Sequence, residues 1–152
     1  MTGIIKKIHI FKNIHQLADF AVHKWAEISS AGMKIKGFFS VALSGGKTPV
    51  TFYKRLSGEK AFPWGKTHVF MVDERFVPYE SDENNYRMIN RTLLRHVNIA
   101  PRNVHPILTS ELLPETAAER YEEDMVSYCR TVHTRLPRFD LIFLGIGEDG
   151  HT

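Results

Sequence analysis

The chain has 152 residues, 43% of them hydrophobic and 24% charged, with a formal net charge of +3 at pH 7. This is one domain's worth of sequence, long enough to bury roughly two thirds of its unfolded surface, with no low-complexity tract and no internal repeat. The basic residues are scattered, not gathered into a stripe, which argues against nucleic acid as a partner. No apolar run approaches a membrane span, and the single cysteine, Cys129, excludes an internal disulfide and suits a reducing, cytoplasmic setting.

The opening MTGIIKKIHIFKN has no signal-peptide core; Ile4, Ile8 and Ile10 predict a short, partly alternating strand. From Ile14 to about Lys34, Leu17, Ala21, Trp25 and Ile28 recur at helical spacing, ending near Gly32. Phe38 to Leu43 is an apolar stretch interrupted by Ser40, the pattern of a strand covered on both faces. Ser44-Gly45-Gly46-Lys47 breaks it, Thr48 is a candidate N-cap and Pro49 a first helical residue, with helix to about Leu56.

His68 to Val72 predicts a second buried strand, running into Asp73-Glu74-Arg75. Helix is expected from about Asn85 to His96, and a short strand over Val104–Leu108, interrupted by Pro106. A long helix from about Glu115 to Leu136 carries Ala118, Tyr121, Met125, Cys129 and Val132 on one face, so Cys129 reads as a small buried hydrophobe. Phe139 to Leu144 is a last buried strand before a glycine-rich end.

Strands alternating with helices predict an α/β fold: a Rossmann-like, mostly parallel sheet with helices on both faces. Such sheets bind ligands beyond the carboxyl ends of their strands. Three polar loops fall at such ends: Ser44–Thr48, Asp73–Pro78 and Gly145–Thr152.

The first, SGGKTP, has the parts of an anion cradle: two glycines for close backbone approach, Lys47 as cation, and the Ser44 and Thr48 hydroxyls. It lacks the Walker A spacing, and a tight strand-to-helix turn accounts for it equally well on local grounds. In the second, DERFVP, Arg75 has the planar fork that suits phosphate or carboxylate. Asp73 and Glu74 lack a histidine or third carboxylate at ligand spacing, so no metal is expected. The third, GIGEDGHT, satisfies a dinucleotide-binding pattern. However, Glu148 and Asp149 would repel a pyrophosphate, and neither the helix nor the distal acidic residue of that motif can be checked. The same turn instead presents Asp149 and His151, a histidine able to act as a base near neutral pH with a carboxylate to orient it.

Taken together, Ser44-Gly45-Gly46-x-Thr48-Pro49, Asp73-Glu74-Arg75-x-Val77-Pro78 with Asn84-Asn85, and Gly145-x-Gly147-x-Asp149-Gly150-His151-Thr152 resemble the 6-phosphogluconolactonase family. The resemblance implies hydrolysis of 6-phosphogluconolactone to 6-phosphogluconate without metal or organic cofactor. On that resemblance His151 is the general base and Asp149 steers or polarises it. Ser44, Gly45, Gly46, Lys47, Thr48 and Arg75 hold the sugar phosphate, and Asp73 and Glu74 organise the site. The related glucosamine-6-phosphate deaminases share the first and third loops. They typically carry Asp-Glu-Tyr in the second, and isoleucine after the histidine, where this chain has Arg75 and Thr152. A non-catalytic sugar-phosphate-binding domain is the remaining alternative.

The family pattern continues past GxDGHT through an ASLFP-like stretch and further elements. The resemblance therefore implies that residues 1–152 are a single sugar-phosphate-binding domain forming the N-terminal portion of a longer lactonase domain, with its C-terminal part missing. Such a piece is expected to be weakly active or inactive alone and to expose an open strand edge prone to self-association.

Overall fold

The structure, a computed structural model, describes residues 6–110, 113–147 and 150. Helix α1 (Ile14–Lys36) leads into strand β1 (Phe39–Leu43), helix α2 (Val50–Leu56) and strand β2 (Thr67–Met71). Helix α3 (Asn85–Thr92), strand β3 (Val104–His105), helix α4 (Pro114–Thr131) and strand β4 (Leu141–Ile142) follow. Among the described residues the strands form one parallel sheet of order β3-β2-β1-β4.

The burial of the whole of β1, an apolar run interrupted by Ser40, has its cause in the layers. All five β1 residues are buried, because alternate side chains meet different helices. Phe39, Val41 and Leu43 join Trp25 of α1, Phe52, Tyr53 and Leu56 of α2, and Ile89 of α3 in the larger core, with Val69 and Met71 from β2. Both tryptophans lie there, Trp25 and Trp64, with ring centroids 5.6 Å apart. On the opposite face Ala42 and Phe70 pack against Tyr128 and Cys129 of α4. Helices thus cover both faces, as the sequence predicts. Each large apolar side chain so buried contributes about 1.5–3 kcal/mol.

Several boundaries differ from the sequence reading. No strand forms over residues 6–13, and Ile8 and Ile10 are 88% and 91% exposed; alternation supplies a strand pattern but no sheet edge to pair with. Ile4 lies outside the described residues. Helix α1 runs through Gly32, which packs against the Phe38 carbonyl, and stops at Gly37, whose φ of 78° closes the helix with an N–H to the Met33 carbonyl. Thr48 does not cap α2: that helix is preceded by Pro49 with no side-chain cap. Helix α3 ends at Thr92 and a short 3-10 turn, Leu94–His96, follows. Pro106 limits β3 to two residues. Helix α4 ends at Thr131, just before His133 takes a positive φ; its buried N-terminal alanine is Ala117, while Ala118 is exposed. β4 is two residues long, where Phe139–Leu144 was expected.

A carboxylate joins β4 to β1. Asp140 Oδ2 accepts from the Ser40 backbone N–H at 2.9 Å, the Ser40 hydroxyl at 3.1 Å and Lys36 Nζ at 2.8 Å. The Asp140 N–H in turn donates to the Ser40 carbonyl at 2.9 Å.

Candidate active site

The sheet register aligns three strand ends. Leu43 pairs with Met71 and Ala42 with Ile142; the ladder then runs on through Val72 N–H to the Leu43 carbonyl and Phe143 N–H to the Ala42 carbonyl, both 3.0 Å. The loops that follow β1, β2 and β4 therefore leave the sheet at one edge. The chain order also reverses between β1 and β4, the position at which parallel sheets open a crevice.

A cavity of about 780 Å³ occupies this edge. Its polar wall is formed by Ser44, Gly45, Gly46, Lys47 and Thr48 from the first loop, Asp73 and Arg75 from the second, and Asn85 at the start of α3. Its apolar wall includes Leu17 and Phe20 of α1, Phe52 of α2, and the segment from Leu141 to Gly147. Three cationic residues, Lys24 of α1 with Lys47 and Arg75, and one carboxylate thus line a partly apolar hollow.

The first loop is held from beneath. Tyr53, fully buried in α2, donates its hydroxyl to the Ser44 carbonyl at 2.7 Å. Burial pushes the Tyr53 hydroxyl well above its ordinary pKa, so it remains a donor. Gly46 has φ 93°, a conformation that side chains with a Cβ rarely adopt. Gly45 lies so close to Asn85 that a Cβ there would land on the Asn85 amide.

In the second loop Asp73 and Glu74 separate in role. The Asp73 carboxylate accepts from Asn85 Nδ2 at 3.3 Å and lines the cavity. Glu74 turns the other way: its carboxylate accepts from the backbone N–H of Asn85 at 2.6 Å, Tyr86 at 2.8 Å and Arg75 at 2.8 Å. It thereby caps α3 together with Asn84, whose Oδ1 accepts from Arg87 N–H at 2.7 Å. Arg75 is exposed at the cavity wall.

Ser44, Gly45, Gly46, Lys47, Thr48, Asp73 and Arg75 are therefore brought together, while Glu74 supports them from behind. Asp149 and His151 lie outside the described residues. Sequence reasoning gave no role to Tyr53 or Asn85, though Asn84-Asn85 stood out as part of a motif. Among the described residues no cluster of three His, Cys, Asp or Glu side chains could hold a metal ion, and no helix is long and apolar enough to cross a membrane.

These features define an α/β protein with a parallel sheet covered on both faces and an anion-suited cleft at its carboxyl edge. The profile of the glucosamine-6-phosphate isomerases/6-phosphogluconolactonase family matches residues 12–152, and the chain belongs to that family. It is 41% identical over 117 residues to a 6-phosphogluconolactonase of Synechocystis, covering 77% of this chain and 48% of that protein. To a 6-phosphogluconolactonase of Thermotoga maritima it is 40% identical over 134 residues, covering 88% and 56%. The crystal structure of a Thermotoga maritima 6-phosphogluconolactonase superposes with a TM-score of 0.82 at 37% identity, over 94% of this chain and 61% of that one. The chain thus spans about half the length of the curated relatives it matches.

Proposed function

We propose that the protein hydrolyses 6-phospho-D-glucono-1,5-lactone to 6-phosphogluconate, the second step of the oxidative pentose phosphate pathway, in the cytoplasm. In this reading residues 1–152 are a single sugar-phosphate-binding domain, the N-terminal portion of a lactonase. The observation that carries it is the meeting of Ser44–Thr48, Asp73 and Arg75 around one cavity at the sheet edge, in a chain whose named relatives are lactonases.

The 6-phosphate sits against the amides and hydroxyls of Ser44–Thr48, with Lys47 and Arg75 supplying charge. That anchor fixes the lactone ring, and positioning alone removes much of the barrier. His151 takes a proton from water, the oxygen attacks the lactone carbonyl, and the ring C–O bond breaks. The departing ring oxygen takes up the proton, and Asp149 steadies the histidine. The product is the open-chain acid, which ionises to the carboxylate by releasing one proton to solvent, and no cofactor enters the balance.

The test is lactone hydrolysis followed against the spontaneous rate, in the protein as expressed from its own gene and in its His151→Ala variant. Turnover that His151→Ala reduces at least about a hundredfold supports the proposal. Turnover no faster than spontaneous, or unaffected by that substitution, overturns it. Ammonia release from glucosamine 6-phosphate would instead assign the deaminase reaction, and 6-phosphogluconate binding without turnover a binding domain.

A further inference from the structure

We infer that the Asn85 side-chain amide is a positioning residue that sets the spacing between the anion-suited loop after β1 and the Asp73 carboxylate. It does so by filling the room that Gly45 leaves and donating to Asp73. For its consequence on turnover the inference rests on the lactonase reading; for the contact itself it does not.

Asn85 is buried, with 6% of its surface exposed, although it lines the cavity. Its backbone is fixed because its N–H donates to Glu74 at 2.6 Å. Its side chain is fixed from two sides. Nδ2 donates to the Asp73 carbonyl at 3.4 Å and to Asp73 Oδ1 at 3.3 Å. Oδ1 lies over Gly45, where any side chain would collide with the amide. One planar group therefore touches both loops, and neither can shift toward the other without displacing it. Asparagine suits the position because its short amide carries a donor and an acceptor without charge. The charged or titratable groups around Asp73 and Asn85 are the Tyr53 hydroxyl, whose ionisation Asp73 further opposes, the Glu74 carboxylate bonded to the Asn85 N–H, and Lys24, Lys47 and Arg75 lining the same cavity.

A ligand phosphate on the first loop and a reacting group near Asp73 would thus be held at a spacing set by Asn85. Small errors in such spacing cost roughly a hundredfold in rate. The loop's own support, Tyr53 to Ser44, does not involve Asn85. Loss of the amide is therefore expected to lower kcat by about 10- to 100-fold, while 6-phosphogluconate affinity changes less than about threefold.

Asn85→Ala, Gly45→Ala, the double variant and Asn85→Asp test this. Gly45→Ala alone should lower the melting temperature by displacing Asn85; in the Asn85→Ala background the same change should cost little, because the room is open. Asn85→Asp keeps the shape but removes the donor and sets a second carboxylate against Asp73. Its activity relative to wild type should rise toward acid, as a proton shared by the two carboxyls restores a donor. Additive melting losses, or an Asn85→Ala kcat within about twofold of wild type, would overturn the inference. A uniform activity loss in Asn85→Asp that ignores pH would show a merely structural role and also overturn it. Should the wild-type protein hydrolyse no lactone, the proposed function falls. The melting cycle and the Asp73 carboxyl resonance of Asn85→Ala would then decide the inference: non-additive losses with a shifted resonance uphold it, and additive losses or an unchanged resonance overturn it.

Discussion

The Tyr53 hydroxyl and the Ser44 carbonyl, 2.7 Å apart, join a buried helix to the first residue of the glycine loop. Tyr53→Phe removes one buried hydrogen bond and leaves the carbonyl without its tyrosine donor. We expect a loss of about 1–2 kcal/mol and a several-fold weaker affinity for 6-phosphogluconate. Thermal melts and calorimetric titration measure both; an unchanged affinity would show that the loop keeps its shape without Tyr53.

Glu74 is expected to act on α3 and not on bound ligand. Glu74→Gln retains the volume but replaces one of the two acceptor oxygens that serve Asn85, Tyr86 and Arg75. It also removes a negative charge from the helix N-terminus. The expected cost is about 1–2 kcal/mol, with faster amide exchange at Asn85 and Tyr86. Unaltered exchange at those two positions would contradict the assignment.

Asp140 and Lys36 form an ion pair at 2.8 Å, with side chains 17% and 30% exposed. The pair itself is worth less than about 1 kcal/mol, whereas the bonds from Asp140 to the buried Ser40 N–H and hydroxyl are worth more. Asp140→Ala should therefore cost about 2–3 kcal/mol and Lys36→Ala less than about 1. Equal losses in chemical denaturation would mean that the ion pair, not the bonds to β1, carries the energy.

On the α4 face His105 Nδ1 meets Asp124 Oδ2 at 2.7 Å and His105 Nε2 meets His68 Nδ1 at 3.2 Å. Burial, and then the neighbouring His105, lower the pKa of His68 from 6.5 to about 4. Between these values the unfolded chain binds the proton that folded His68 refuses, so stability rises with pH. His68 is only partly buried, so after allowing for solvent screening we expect about 1–2 kcal/mol, present above about pH 6.5 and lost as pH falls toward 4. Melting temperatures of wild type and His68→Gln across that window provide the check; parallel curves would exclude the contribution.

The meeting of the strand-end loops around one cavity was legible because it depends on where buried strands stop. Leu43, Val72 and Leu144 each precede a polar or glycine-rich loop, and a parallel sheet puts such loops on one edge. What was not legible depends on contacts between distant residues. Nothing in local spacing shows that Asn85 faces Gly45, 40 positions earlier, or that Tyr53 reaches back to Ser44. Polar residues inside the buried strands were also hidden. Ser40, Thr67 and His68 look like breaks in an apolar run until Asp140, the Pro63 carbonyl and His105 appear as their partners. The N-terminal isoleucines erred in the other direction, since Ile8 and Ile10 alternate correctly and face solvent.

Both tryptophans of the chain, Trp25 and Trp64, belong to the core on the α1 side of the sheet, while Tyr121 and Tyr128 belong to the α4 side. The molecule therefore carries its indole reporters on one face of the sheet alone. Indole emission follows only the α1-side layer, whereas tyrosine absorbance spans both layers, because Tyr53 and Tyr86 belong to the α1 side and Tyr121 and Tyr128 to the α4 side. Melting curves recorded in the two channels would coincide if the sheet transmits unfolding from one layer to the other, and would part if the α4 layer can peel away first.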